Sequence, residues 1–111
     1  NADGLWLARV PVTDQAVALL RLQPDDTVSG RAVVSINVAP DARGRGLGRQ
    51  ALQALLHTVV PERNVSQVIA EVLPSNKRSQ RLFEDQGFQL VSLAEVARLS
   101  WKTGQLKRLQ W

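Results

Sequence analysis

The chain of 111 residues contains no cysteine, no methionine and no tyrosine, and a single histidine. Without cysteine there is no disulfide, no thiolate-held zinc and no covalent cysteine intermediate, and a reducing compartment, the cytoplasm, is expected. One histidine, His57, leaves no metal cluster of the usual kind. No apolar run approaches the ~20 residues that a membrane-spanning helix needs, and no secretory leader is visible. Methionine is missing even at the first position. Asn1-Ala2 reads as the remnant of a cleaved tag, so a domain cut from a longer polypeptide is expected.

What is present is globular in composition, with 44% hydrophobic and 22% charged residues, enough for one domain over 1–111 with a core of its own. The formal charge of +4 would suit nucleic acid, but with 5% aromatic residues the interleaved stacking residues of such a surface are missing. The arginines instead gather around one turn, which suits a nucleotide-bearing cofactor; neither nucleic acid nor membrane is expected as a partner.

That turn lies between Val33 and Leu56, where an apolar strand (VVSINVAP) runs through DARGRGLG into an amphipathic helix (RQALQALL). Gly44, Gly46 and Gly48 leave three backbone positions bare as the helix begins, so a phosphate can approach N–H groups that lack intrahelical partners. The helix dipole and Arg43, Arg45 and Arg49 make the place electropositive. A P-loop requires Lys and then Ser or Thr after the last glycine, where this chain has Arg49 and Gln50. A dinucleotide fingerprint requires glycine where Arg49 stands. The pattern present is Arg-x-x-Gly-x-Gly, Arg43 to Gly48.

Around it, Leu5–Val10, Ala16–Leu22 and Arg31–Val38 read as strands joined by turns at Pro11–Gln15 and Gln23–Gly30, an antiparallel meander. The third is so apolar that both its faces are expected to be covered. A helix follows from about Leu47 to Val60, with Ala51, Leu52, Leu55, Leu56 and Val59 on its apolar face, His57 on the wet one, and Pro61 as its stop. Val68–Leu73 reads as a strand parallel to the third, reached by a crossover. A second helix starts at Ser75 or Asn76 and ends before Gly87, with Ser79, Leu82, Phe83 and Gln86 along one side. Phe88–Leu93 reads as a further strand, and Trp101 and Trp111 flank a turn at Thr103-Gly104 that suits a last strand or hairpin.

The glycine turn resembles the coenzyme A loop of the GCN5-related N-acetyltransferases, the GNAT family. The block from Asn76 to Phe88 resembles the family's second helix, Asn-x-x-small-x-x-Leu-Tyr/Phe-x-x-x-Gly-Phe, at Asn76, Ser79, Leu82, Phe83, Gly87 and Phe88. The resemblance spans roughly residues 16–93. It implies an α/β fold with a mixed central sheet, an antiparallel meander followed by a βαβ crossover, whose two parallel strands splay around acetyl-CoA. Ile36, Asn37 and Val38 would offer backbone groups to the pantetheine arm, and amides from Arg43 through Leu47 to Gly48 would hold the pyrophosphate. Asn76 would bond the pantetheine and Phe83 would pack near the thioester. Arg45, Arg49, Lys77, Arg78 and Arg81 are candidates for the 3′-phosphate and adenine end, or are solvated helix surface.

The chemistry implied is acetyl transfer to a primary amine, with the Val38 N–H as oxyanion donor. Glu71, the one carboxylate within VIAEVL, is the candidate base if it faces the cleft, and an ordinary surface charge if it does not. The chain departs from the family twice. Phe83 stands where many members have a tyrosine that protonates the leaving sulfur; a thiol of pKa about 8.5 leaves fairly well unaided, and Ser79 or a water could substitute. Almost nothing precedes Leu5, where complete members have a strand and two helices that shape the acceptor site, so another domain or subunit is expected to supply that wall. The style of the loop resembles modules of amino-sugar nucleotide pathways, which makes such a small-molecule amine the expected acceptor. The other reading is a non-catalytic acyl-CoA-binding or regulatory module.

Overall fold

The computed structural model describes residues 4–10 and 14–102. In chain order the elements are β1 (Gly4–Arg9), β2 (Ala16–Pro24), β3 (Arg31–Val38), a 3-10 turn (Pro40–Ala42), α1 (Leu47–Ala54), a π-helical turn (Leu55–Val59), α2 (Val60–Glu62), β4 (Gln67–Val72), α3 (Lys77–Asp85), β5 (Gln89–Leu93) and β6 (Ala97–Lys102). The strands form one sheet in the order β1-β2-β3-β4-β6-β5. Only β3 and β4 are parallel; the other neighbours are antiparallel. This is the mixed α/β architecture expected, a meander leading into a βαβ crossover.

Alternation decides which face is covered. Along β2, Ala18, Leu20 and Leu22 are buried while Leu19, Arg21 and Gln23 are exposed, and β3 repeats the pattern with Ala32 and Val34. The buried set continues through Val68, Ala70 and Val72 of β4 and Ala97, Leu99 and Trp101 of β6. Leu52, Leu55, Leu56 and Val60 of the long helix and Phe83 of α3 complete the same core. Trp101 is fully buried and stacks on Phe88 at 6.4 Å, and Phe88 meets Phe83 edge-on at 5.0 Å. His57 lies exposed on the wet face of its helix.

Two expectations are corrected. The outer face of β3 is not fully covered, because Ser35 and Asn37, which interrupt its apolar run, are exposed, while Arg31 and Val33 are half-buried. The long helix does not stop at Pro61: helical backbone runs unbroken through the π turn Leu55–Val59 and Pro61 to Glu62, the wider π turn accommodating a residue that has no N–H to give. A hairpin at residues 94–96, which no turn signal marks, joins β5 to β6, and β6, which carries Trp101, inserts between β4 and β5. Thr103, Gly104 and Trp111, like residues 1–3 and 11–13 of the first turn, lie outside the described residues.

The loop between β2 and β3 is tied by Asp25. Its carboxylate accepts from Thr27 Oγ1 (2.6 Å), Thr27 N (2.9 Å) and Arg31 Nε (2.7 Å). The two bonds from Thr27, and then that from Arg31, hold the Asp25 carboxyl well below its ordinary range. A lowered folded-state pKa contributes stability that is present above the unfolded value of about 3.9 and lost as pH falls below it. Urea denaturation between pH 6 and 3 is expected to show an acid-side loss of stability that is shallower in Asp25→Asn.

Candidate functional site

The site begins where β3 and β4 part. Their pairing runs from Arg31↔Gln67 to Val34↔Ala70 and stops, although β3 continues to Val38 and β4 to Val72. The Ala39 N–H donates to the Val17 carbonyl at 2.8 Å, toward β2. Backbone groups of successive strand residues alternate sides, so those of Ile36 and Val38 point away from β2, into the opening. The Val38 carbonyl accepts from Arg43 Nε at 3.3 Å, in keeping with that direction.

The glycine turn closes the far end of the opening. Gly44 and Gly46 adopt φ of +78° and +75°, in the left-handed region where side chains are strained, with open space where a Cβ would lie. Gly46 is the N-cap of α1 and no side chain caps it. The first helical N–H to find its carbonyl is that of Gln50, bonded to Gly46 O at 3.1 Å. Leu47, Gly48 and Arg49 thus form the uncapped first turn, whose amides have no intrahelical acceptors. Gly48 serves a different purpose. A Cβ there would sit 2.8 Å from Val38 Cγ2, so its absence lets α1 press against the end of β3.

These elements enclose a cavity of about 650 Å³, lined by backbone and side chains of β3, the glycine turn, α1 and α3. Of the residues singled out in the sequence, Ile36, Asn37, Val38, Arg43, Gly44, Gly46, Leu47, Gly48, Arg49, Asn76, Ser79 and Arg81 line it, together with Lys77 and Arg78. Arg45 is exposed on the same turn but does not line it. Phe83 is buried against Phe88 in the core, and Leu82, one residue earlier, meets the cavity instead. Asn76 caps α3, its Oδ1 accepting from Ser79 N at 3.1 Å, which leaves its amide NH₂ as the other polar group.

Glu71 stands one residue beyond the last parallel pair, at the fork, with its side chain on the sheet face away from the helices. It meets Arg98 of β6 at 3.4 Å. In the sequence Leu82 reads as part of the second helix's motif and not as a site residue, and Asp85, whose carboxylate binds Arg49 at 2.6 Å across the cavity rim, is not singled out at all. The tertiary approach of α1 and α3 makes that pair, and no local pattern announces it. Against the lining cations Arg43, Arg49, Lys77, Arg78 and Arg81, Asp85 is the one lining carboxylate. An elongated polyanion with a hydrogen-bonding arm fits this arrangement: uncapped amides and cations at one end, unpaired strand backbone at the other.

Comparison with known proteins gives the family and the fold. The model of the acetyltransferase (GNAT) family matches residues 1–88. An N-acetyltransferase 9-like protein of Nematostella vectensis is 33% identical over 73 residues, 66% of this chain, and the chain spans about a third (36%) of that protein's length. A dodecameric spermidine N-acetyltransferase from Vibrio cholerae superposes with a TM-score of 0.86 at 17% identity, over 100% of this chain and 71% of that one. The GNAT domain of S. lividans PAT gives 0.77 at 24% identity, over 91% and 61%. At such identities the two structures speak for the fold.

Asp85→Asn is expected to free Arg49 and strengthen binding of a polyphosphate such as coenzyme A several-fold, an effect that shrinks with added salt and is read by calorimetry. Gly48→Ala is expected to weaken it by displacing Val38.

Proposed function

Because the chain belongs to the acetyltransferase (GNAT) family, we propose that it uses acetyl-CoA to acetylate a primary amine, that of an amino-sugar nucleotide or another small molecule. The observation that carries this reading is the opening of β3 from β4 beside an uncapped, glycine-lined helix start. The amides of Leu47, Gly48 and Arg49 would hold the pyrophosphate. Arg49, Lys77, Arg78 and Arg81, with Arg45 outside the cavity, would meet the 3′-phosphate end. The backbone of Ile36 and Val38, with Asn37, Ser79 and the Asn76 amide, would order the pantetheine arm, and Phe83 would support its reactive end from the core. Bound acetyl-CoA supplies an activated acetyl thioester.

The chain's own residues then have two tasks. The Val38 N–H, aimed into the opening, donates to the oxygen on which charge develops. Glu71, at the fork, accepts the proton that the amine gives up as its nitrogen bonds to the acetyl carbon and the carbon–sulfur bond breaks. Glu71 then returns that proton to solvent, from which the departing thiolate would be protonated, so that amide and free thiol are the products. Residues supplied by another domain or subunit would complete the acceptor wall. A chain without cysteine suits the cytoplasm, and no helix among the described residues is long and apolar enough to cross a membrane.

A second reading, a non-catalytic acyl-CoA-binding module, draws on Phe83, a buried ring with no hydroxyl to offer a leaving sulfur. Calorimetry with acetyl-CoA, dephospho-CoA and Gly46→Glu separates the possibilities. Micromolar binding, weakened for dephospho-CoA and lost in the variant, is expected; absence of binding would overturn both readings. If thiol release is then measured with amine panels, Glu71→Gln is expected to lower kcat by about 10²–10⁴-fold at neutral pH with acetyl-CoA affinity kept. Binding with no turnover of any amine would favour the second reading.

A further inference from the structure

The register places an unusual set of side chains on the sheet face away from the helices. Arg21 lies opposite Ser35 in the β2–β3 pair, Glu71 opposite Arg98 in the β4–β6 pair, and Ser35 and Glu71 are the residues that follow the last parallel pair. Arg21, Ser35, Glu71 and Arg98 therefore make one row across the fork. Among the described residues Glu71 is the only carboxylate on a strand, whereas Arg9, Arg21, Arg31, Arg98 and Lys102 are all strand cations.

Most of these cations are occupied. Arg9 meets Asp14 (3.8 Å), Arg31 binds Asp25 (2.7 Å) and Arg98 binds Glu71 (3.4 Å). Arg21 is exposed, and among the described residues it has neither an ion-pair partner nor a hydrogen-bonded side chain. Beside it, Leu5 lies in the same row, and Leu7 and Leu19 in the next, all three more than 40% exposed. An unpartnered guanidinium beside an apolar shelf, in line with the candidate base, is laid out to bind a ligand that has an apolar body and an anionic end.

We propose that the acceptor amine approaches on this face and carries a phosphate or carboxylate that Arg21 anchors. The assignment rests on the transferase reading above. Strands are spaced about 4.8 Å apart, so Arg21 and Glu71, two strand steps apart across a widening fork, are separated by about 10 Å or more between Cα atoms. The acceptor is accordingly a small molecule whose amine and anionic group lie several bonds apart. A polyamine, cationic along its length, would face Arg21 and Arg98 with only Glu71 in its favour. The match to spermidine acetyltransferase structures is thus one of fold, with a different acceptor chemistry on this face.

The test uses the chain with its arginines labelled with ¹⁵N, saturated with coenzyme A so that the glycine turn is filled. Pyrophosphate, succinate and spermidine are titrated separately, and the Arg21 Nε–H resonance is assigned from Arg21→Gln. A saturable shift of Arg21 with an anion is expected. A larger response to pyrophosphate identifies a phosphate-bearing acceptor, and a larger response to succinate a carboxylate-bearing one. In Arg21→Gln, anion-induced shifts at Arg98 should disappear while coenzyme A affinity stays within twofold. No Arg21 response to either anion, or a saturable response to spermidine alone, overturns the proposal. Failure of coenzyme A to bind in the same samples would instead overturn the transferase reading, and the acceptor assignment with it.

Discussion

Four residue pairs hold the two parallel strands together, and the site exists because a fifth does not form. Past Val34 the backbone of β3 is still paired to β2 but presents unpaired groups toward β4. Such groups are costly if buried without partners, so the opening must be filled by water or by a ligand that pairs as a strand would. The same stretch is fixed from the other side by the helix start. Gly48 allows α1 to press on Val38, and Val38 in turn presents its carbonyl to Arg43. One strand end thus sets the position of the anion-binding amides and of the pairing edge together. Displacing Val38 would disturb both.

Charge is divided between the two sides of the sheet. The helix side carries its charges at the rim of the cleft, where five lining cations meet the single carboxylate of Asp85. The Arg49–Asp85 pair is more than a third exposed on both partners, so its direct contribution to stability is small, about 1 kcal/mol or less. Its consequence is local: it holds one of the cations away from a ligand until an anion competes for it. On the opposite side the strand cations are mostly paired within the fold, and Arg21 is the exception. The fork between β3 and β4 is the one place where both charged surfaces and the unpaired backbone come together. A donor entering along the helices and an acceptor lying on the open face would meet there.

Much of this was legible in the chain. Gly44, Gly46 and Gly48 at the start of an apolar-striped helix announced an anion site, because local conformation and missing side chains are properties of a few consecutive residues. Period-2 alternation in β2 and the helical stripe from Ala51 to Val59 gave the meander, the crossover and most of the core for the same reason. The block from Asn76 to Phe88 gave the second helix and its cap. Local pattern misled where a tertiary neighbour decided the outcome. Ser35 and Asn37 are exposed because nothing among the described residues fully covers that part of β3, and β6 entered the sheet between β4 and β5, which no stretch of the chain encodes by itself.

The sequence by itself therefore determined the elements, the glycine turn and the family pattern, since each is written in neighbouring residues. Only the tertiary structure decided where the parallel pairing stops, which side of the sheet Glu71 faces, that Asp85 holds Arg49, and that Arg21, Ser35, Glu71 and Arg98 share one row. Those facts depend on the register between strands far apart in the chain and on the approach of two helices. Register is fixed by the packing of the whole core, and a one-residue slip would turn every one of these side chains to the other face.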